Sequence, residues 1–180
     1  MNRIIRIALM LIVLLILFVN SRPSTFHVER SATIAAPADS LYPRIANFHA
    51  WDAWSPWAKL DPKMKQEFGG ADGTVGANYS WTSAMDKVGS GRMTLTELQP
   101  SSKVAIKLEF LKPFQSTSTT TFSLNPDGAG TRVTWAMDGP MNFMSKFVCL
   151  FMNMDKTVGG DFEKGLASLK QQNEMAPAAR

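Results

Sequence analysis

At 180 residues, 45% hydrophobic and 19% charged, the chain can bury one domain of ordinary size and is too apolar for global disorder. The formal charge of +4 is not a nucleic-acid signature. Three of the nineteen Lys and Arg lie at or before Arg22, and the sixteen beyond it face fifteen Asp and Glu with no long basic run.

Met1-Asn-Arg-Ile-Ile-Arg6 precedes Ile7 to Val19, thirteen residues without a polar side chain. Counted from Ile4, the apolar segment reaches roughly 24 Å as a helix, a little short of a ~30 Å hydrocarbon layer, and Arg6 extends it by snorkelling. The same charge and length fit a cleavable signal peptide, but Asn20-Ser-Arg-Pro23 lacks an Ala-x-Ala site. The favoured reading is an uncleaved anchor over residues 1–21 and a linker over 22–25. Arg3, Arg6 and the amino group outweigh Arg22, which leaves the N-terminus cytoplasmic and the domain on the outer, periplasmic side. Secretion after cleavage is the alternative.

Thr25 to Ile34 alternates Phe26, Val28, Arg30, Ala32 and Ile34 against His27, Glu29, Ser31 and Thr33, the period of a strand with Arg30 on its apolar side. Pro37 opens a short helix carrying Leu41, Ile45 and Phe48. A second helical turn holds Trp51 and Trp54 and stops before Trp57, because Pro56 biases Ser55 away from helical angles.

Residues 62–138 then read almost entirely as strand. Segments begin near Met64, Asn78, Gly91, Lys103, Ser116 and Thr131, and the short loops between them imply an antiparallel sheet. The Ser116–Thr121 run reads as an edge or solvent-facing strand. Asn125-Pro-Asp-Gly128 reads as a turn.

From Phe143 through Phe147, Phe151, Met154, Val158, Phe162, Leu166 and Leu169 the apolar residues step by four or three, predicting one long amphipathic helix bent at Gly159-Gly160. A disordered tail is expected over 175–180. The single cysteine, Cys149, lies in Phe147-Val-Cys-Leu-Phe151 and reads as a buried, inert thiol.

This order, with Ile34-Ala-Ala-Pro37, Trp51-Asp-Ala-Trp-Ser-Pro-Trp57, Gly73-Thr-Val-Gly-Ala77, Val88-Gly-Ser-Gly-Arg-Met93, Gly130-Thr-Arg-Val-Thr-Trp135 and Val158-Gly-Gly-Asp-Phe-Glu-Lys-Gly-Leu166, resembles the polyketide cyclase/dehydrase-type branch of the START-like (Bet v 1-like, SRPBCC) superfamily. The resemblance runs from about Phe26 to Asn173, the whole of the domain expected over 26–174. It implies an α+β helix-grip fold, a curved antiparallel sheet wrapped around a long C-terminal helix, here preceded by one transmembrane or signal-anchor helix. It also implies a hydrophobic cavity between sheet and helix. It implies less about activity, since the superfamily spans carriers, cyclases, hydrolases and chaperone regulators.

No Gly-x-Ser-x-Gly elbow, His-Glu-x-x-His pair, zinc spacing or nucleotide motif occurs, so neither a catalytic triad nor a metal or other cofactor is expected. The candidate cavity lining is Trp54, Tyr79, Trp81, Met93, Leu95, Leu108, Phe110, Phe122, Trp135, Met137, Phe147, Phe151 and Met154, each of which also makes sense as plain core. The leading expectation is a membrane-anchored binder or carrier of a hydrophobic small molecule, a lipid or polyketide-like compound. One alternative is a cyclase, dehydrase or hydrolase using Tyr79, Arg30 or Asp138, which requires that these converge. The other is a protein-interaction or stress-response module with a filled core.

Overall fold

The computed structural model describes residues 2–58, 60–61, 63–85 and 88–174; the tail expected over 175–180 lies outside the described residues. The chain begins with helix α1 (Asn2–Asn20) and passes through Ser21–Ser24 into strand β1 (Thr25–Ile34). Helix α2 (Ala38–Ala46), a single 3-10 turn (Phe48–Ala50) and the one-turn helix α3 (Trp51–Trp54) follow. Six strands come next: β2 (Lys65–Gly69), β3 (Asn78–Thr82), β4 (Ser90–Gln99), β5 (Lys103–Lys112), β6 (Ser116–Asp127) and β7 (Gly130–Pro140). Helices α4 (Phe143–Val148) and α5 (Met154–Glu174) close the chain.

All seven strands pair antiparallel in the order β1-β7-β6-β5-β4-β3-β2. Strands β2 to β7 form a meander, and β1 completes it by pairing with β7 from Thr25↔Pro140 to Ile34↔Thr131. Register shifts interrupt the β4–β5 ladder between Ser90 and Gly91 and between Leu95 and Glu97. Such bulges add twist and bend, which lets one face curl toward α5. That concave face carries Val28 and Ile34 of β1, Val104 and Ile106 of β5, Phe122 and Leu124 of β6, and Val133 and Trp135 of β7, all buried. Alternation is sharp here because a one-residue slip would expose the whole set.

The tryptophan segment joins the helices to this core. The indole Nε1 of Trp51 donates to the carbonyl of Ile45 (2.9 Å), and that of Trp54 to the carbonyl of Arg44 (3.0 Å). Both carbonyls belong to the last turn of α2, which has no intrahelical partners to offer them. The two rings therefore terminate one helix while packing edge-on against Phe122 and Trp135. Trp57 packs beside them on Trp135 and Phe162.

Four expectations are corrected. The C-terminal amphipathic stretch is two helices, broken at Cys149–Asn153 rather than bent at Gly159-Gly160. Asn153 starts the second helix by accepting from the Lys156 amide (2.9 Å), while α5 runs unbroken through both glycines. The Ser116–Thr121 run is neither an edge nor fully wet: β6 lies between β5 and β7, and Ser118 and Thr120 are buried. Strand β6 also continues to Asp127, so the turn is confined to Gly128 and Ala129. Cys149 is only partly buried.

Helix α5 runs alongside β1 in the same direction. At its end, the Glu174 carboxylate accepts from the Ala35 amide and Lys170 Nζ donates to the Thr33 carbonyl. Near its start, Asp155 meets Arg30. In between, Phe162 stacks on Trp135 at 4.2 Å and 9°.

A candidate ligand trough at the open end of the grip

The concave face is organised in rungs fixed by strand register. One rung is Val104–Phe122–Trp135, with Arg30 beside Trp135. The next is Leu95–Ile106–Thr120–Met137–Val28. Apart from Arg30, every member of these two is buried. The third rung, Tyr79–Met93–Leu108–Ser118, and the fourth, Trp81–Gly91–Phe110, lie toward the end of the sheet where β1 starts and β7 stops. Here coverage fails: Tyr79, Met93, Leu108 and Phe110 are only half-buried although they face the inside. The same holds for Phe26 of β1 and for Met154 and Val158 of α5. The grip is thus filled at one end and forms an apolar trough at the other.

Of the predicted cavity residues, Trp54, Leu95, Phe122, Trp135 and Met137 belong to the packed end. Tyr79, Met93, Leu108 and Met154 pack partly against it, and Trp81 and Phe110 meet edge-on at the rim, 5.8 Å between ring centroids. Phe147 and Phe151 stand apart on α4 and the turn after it, packed on each other at 5.6 Å. Phe26, Val158 and Ser118 complete the trough and were not foreseen. The alternation of β1 pointed to Phe26, whereas nothing in the Ser/Thr run marked Ser118 as inward.

Two open clefts border the same end. One, of about 660 Å³, runs between the ends of β1, β6 and β7 past Phe26, Ser118 and Gly139. The other, of about 530 Å³, lies among Arg22, Phe26, Met141, Cys149 and Met154. Both carry polar side chains, Thr25, His27, Thr117, Thr119 and Asp138 in the first and Arg22, His27, Asn153 and Asp155 in the second, so the apolar surface that suits a hydrophobic ligand is the trough between them and not the clefts themselves.

The polar candidates do not converge. Arg30 donates to Asp155 (2.9 Å) and Glu163 (2.7 Å), and these hydrogen bonds, Asp155 first, raise its pKa while holding Asp155 below the usual carboxylate range. Asp138 faces outward, 2.7 Å from His27 Nδ1, and this bond raises the imidazole pKa. Tyr79 is pushed up to about 12, chiefly by burial and then by the charge of Asp52, so its hydroxyl stays protonated. The indole Nε1 of Trp135 is buried without a hydrogen-bond partner. Among the described residues no cluster of three His, Cys, Asp or Glu is placed to hold a metal.

The model of a family described as polyketide cyclase/dehydrase and lipid transport matches residues 25–174. The chain belongs to that family. No curated protein matches it. Among solved structures, it resembles a protein from Thermobifida fusca (TM-score 0.62, 19% identity, covering 86% of this chain and 97% of that one). It also resembles the Aha1 dimer from Colwellia psychrerythraea (TM-score 0.60, 15% identity, 85% and 99%). A third neighbour is Ara h 8.0201 (TM-score 0.52, 12% identity, 81% and 97%). At these identities the likeness establishes the helix-grip fold. Among the described residues one helix, Arg3–Asn20, is long and apolar enough to cross a membrane or to serve as a signal sequence.

Proposed function

We propose that this family member binds or carries a hydrophobic small molecule, a lipid or polyketide-like compound, in the trough between the sheet and α5. In this reading α1 holds the domain at a membrane, with the N-terminus cytoplasmic and the domain on the outer side. One observation carries the reading: the inward-facing rungs lose their cover toward a single end of the sheet, leaving Tyr79, Met93, Leu108 and Met154 partly wetted. Half-exposed apolar side chains on the inside of a grip gain by meeting an apolar ligand, at roughly 25 cal/mol per Å² removed from water. The family's described lipid transport supports the class of ligand.

The test is photolabelling of the full chain in nanodiscs with a diazirine fatty acid, mapped by peptide mass spectrometry. Adducts on the strands carrying Met93 and Leu108 and on the start of α5, competed by unlabelled fatty acid, are the expected result. Adducts confined to α1 would sink the binding reading.

A further inference from the structure

Helix α1 leaves the domain at the same end at which the trough opens. Four residues, Ser21–Ser24, separate α1 from β1 and span at most about 14 Å when fully extended. That connection is not slack. Lys146 Nζ of α4 donates to the Asn20 carbonyl (3.3 Å) and to Ser24 Oγ (3.1 Å), bracketing it. Val19, in the last turn of α1, is fully buried. The α1 exit and helix α4 are therefore one packed unit.

The end of the sheet that holds this exit carries exposed large apolar side chains beside the polar cleft of Arg22, Asn153 and Asp155. Phe151 is 81% exposed and Phe114 73%, with Leu111, Phe143, Met144 and Met152 also exposed. They come from the end of β5 with the β5–β6 turn and from α4 with the turn after it, two segments distant in sequence that share only this end of the sheet. Monomeric surfaces rarely gather such groups without a partner. Basic Arg22 and Lys112 stand among them, both exposed, as suits a surface of anionic headgroups.

We propose that this rim rests in the headgroup region of the bilayer that α1 crosses, so that the trough opens onto lipid rather than onto water. The inference rests on the anchoring reading above and adds an orientation to it. If α1 spans the bilayer, the pinned linker holds α4 within one short extended segment of the surface, with its aromatic and methionine side chains uncovered. Burial of such groups at the acyl boundary is favourable, and basic residues beside them add electrostatic attraction.

The test uses the full chain, with Cys149→Ser, in proteoliposomes of phosphatidylethanolamine and phosphatidylglycerol. Spin labels are placed through Phe114→Cys, Met144→Cys or Phe151→Cys, with Leu14→Cys in the anchor and Val75→Cys at the opposite end of the sheet. Collision with oxygen relative to a water-soluble nickel chelate reports lipid contact. The ratio at 144 and 151 is expected to exceed that at 75 by about threefold or more, as for shallow interfacial insertion. Ratios equal to that at 75, with position 14 in lipid, would overturn the orientation and leave the anchor intact. Shielding of 144 and 151 from both reagents would mean a protein or a second copy covers the rim, and the proposal falls. An aqueous reading at 14 removes the anchoring reading and this inference with it.

Discussion

The guanidinium of Arg30 lies against the backbone of Gly159, in the space that a side chain at 159 would occupy. It is pinned there by Asp155 and Glu163, one turn before and one turn after. Gly160, the next residue, has open space where its Cβ would be. The two glycines should therefore respond in opposite directions. Gly159→Ala displaces Arg30 from both carboxylates and is expected to lower the unfolding temperature. Gly160→Ala removes backbone entropy from the unfolded chain and should stabilise by about 0.5–1 kcal/mol. Thermal unfolding of the two variants side by side decides it, and a shift of the same sign in both would refute the packing argument.

The pair His27–Asp138 sets a pH dependence. Its hydrogen bond raises the folded imidazole pKa above the ordinary value of 6.5. A raised folded pKa means the contribution is complete below the unfolded value and disappears as pH climbs through the folded one. The pair is largely exposed, so the effect is about 0.5 kcal/mol. Asp138→Asn should lower stability at about pH 5.5 and make no difference at about pH 8.5. Denaturation at the two pH values, with NMR titration of His27, measures it; a penalty that grows with pH would contradict the assignment.

Trp54 is 1% exposed and caps α2 through its indole. Trp54→Phe keeps an aromatic ring but strands the Arg44 carbonyl and leaves a void, for an expected loss of about 2–3 kcal/mol. Trp57→Phe, at a half-buried ring, should cost less than half of that. Equal losses would mean that the indole bond to α2 contributes nothing.

Leu108 faces the trough and is only half-buried. Leu108→Gln should leave the unfolding temperature nearly unchanged and cut fatty-acid photolabelling by about tenfold, the effect of a polar group in an apolar site. Unchanged labelling would place the ligand elsewhere.

What could be read from the sequence follows how local each determinant is. The strands β1 and β7 were plain because Val28, Ile34, Val133 and Trp135 are buried on one face and their neighbours are not. The tryptophan corner was legible as a helical turn holding Trp51 and Trp54 that stops before Trp57, since Pro56 fixes its exit. The break between α4 and α5 was not, because the apolar step of three and four continues across it. What turns α4 aside is Lys146 reaching back to Asn20 and Ser24, over a hundred residues away. Gly159-Gly160 invited the opposite error, because glycine weakens a helix locally while the guanidinium that selects Gly159 comes from another element. For the site, strand phase placed Tyr79, Met93 and Leu108 inward. Which inward residues stay uncovered depends on where α5 begins, and that start is set by Asn153 rather than by any apolar pattern.

Val19 carries a last consequence. Its side chain is fully buried, and the carbonyl of Asn20 beside it satisfies a buried lysine. The final turn of α1 is therefore part of the globular fold and not an interchangeable leash. A chimera in which another hydrophobic segment replaces residues 2–18 keeps this joint, whereas one joined at Ser21 still offers Lys146 a backbone carbonyl but loses the Val19 side chain from its apolar socket. Proteolytic removal of the helix would do the same damage, so the segment and the domain have a shared fate.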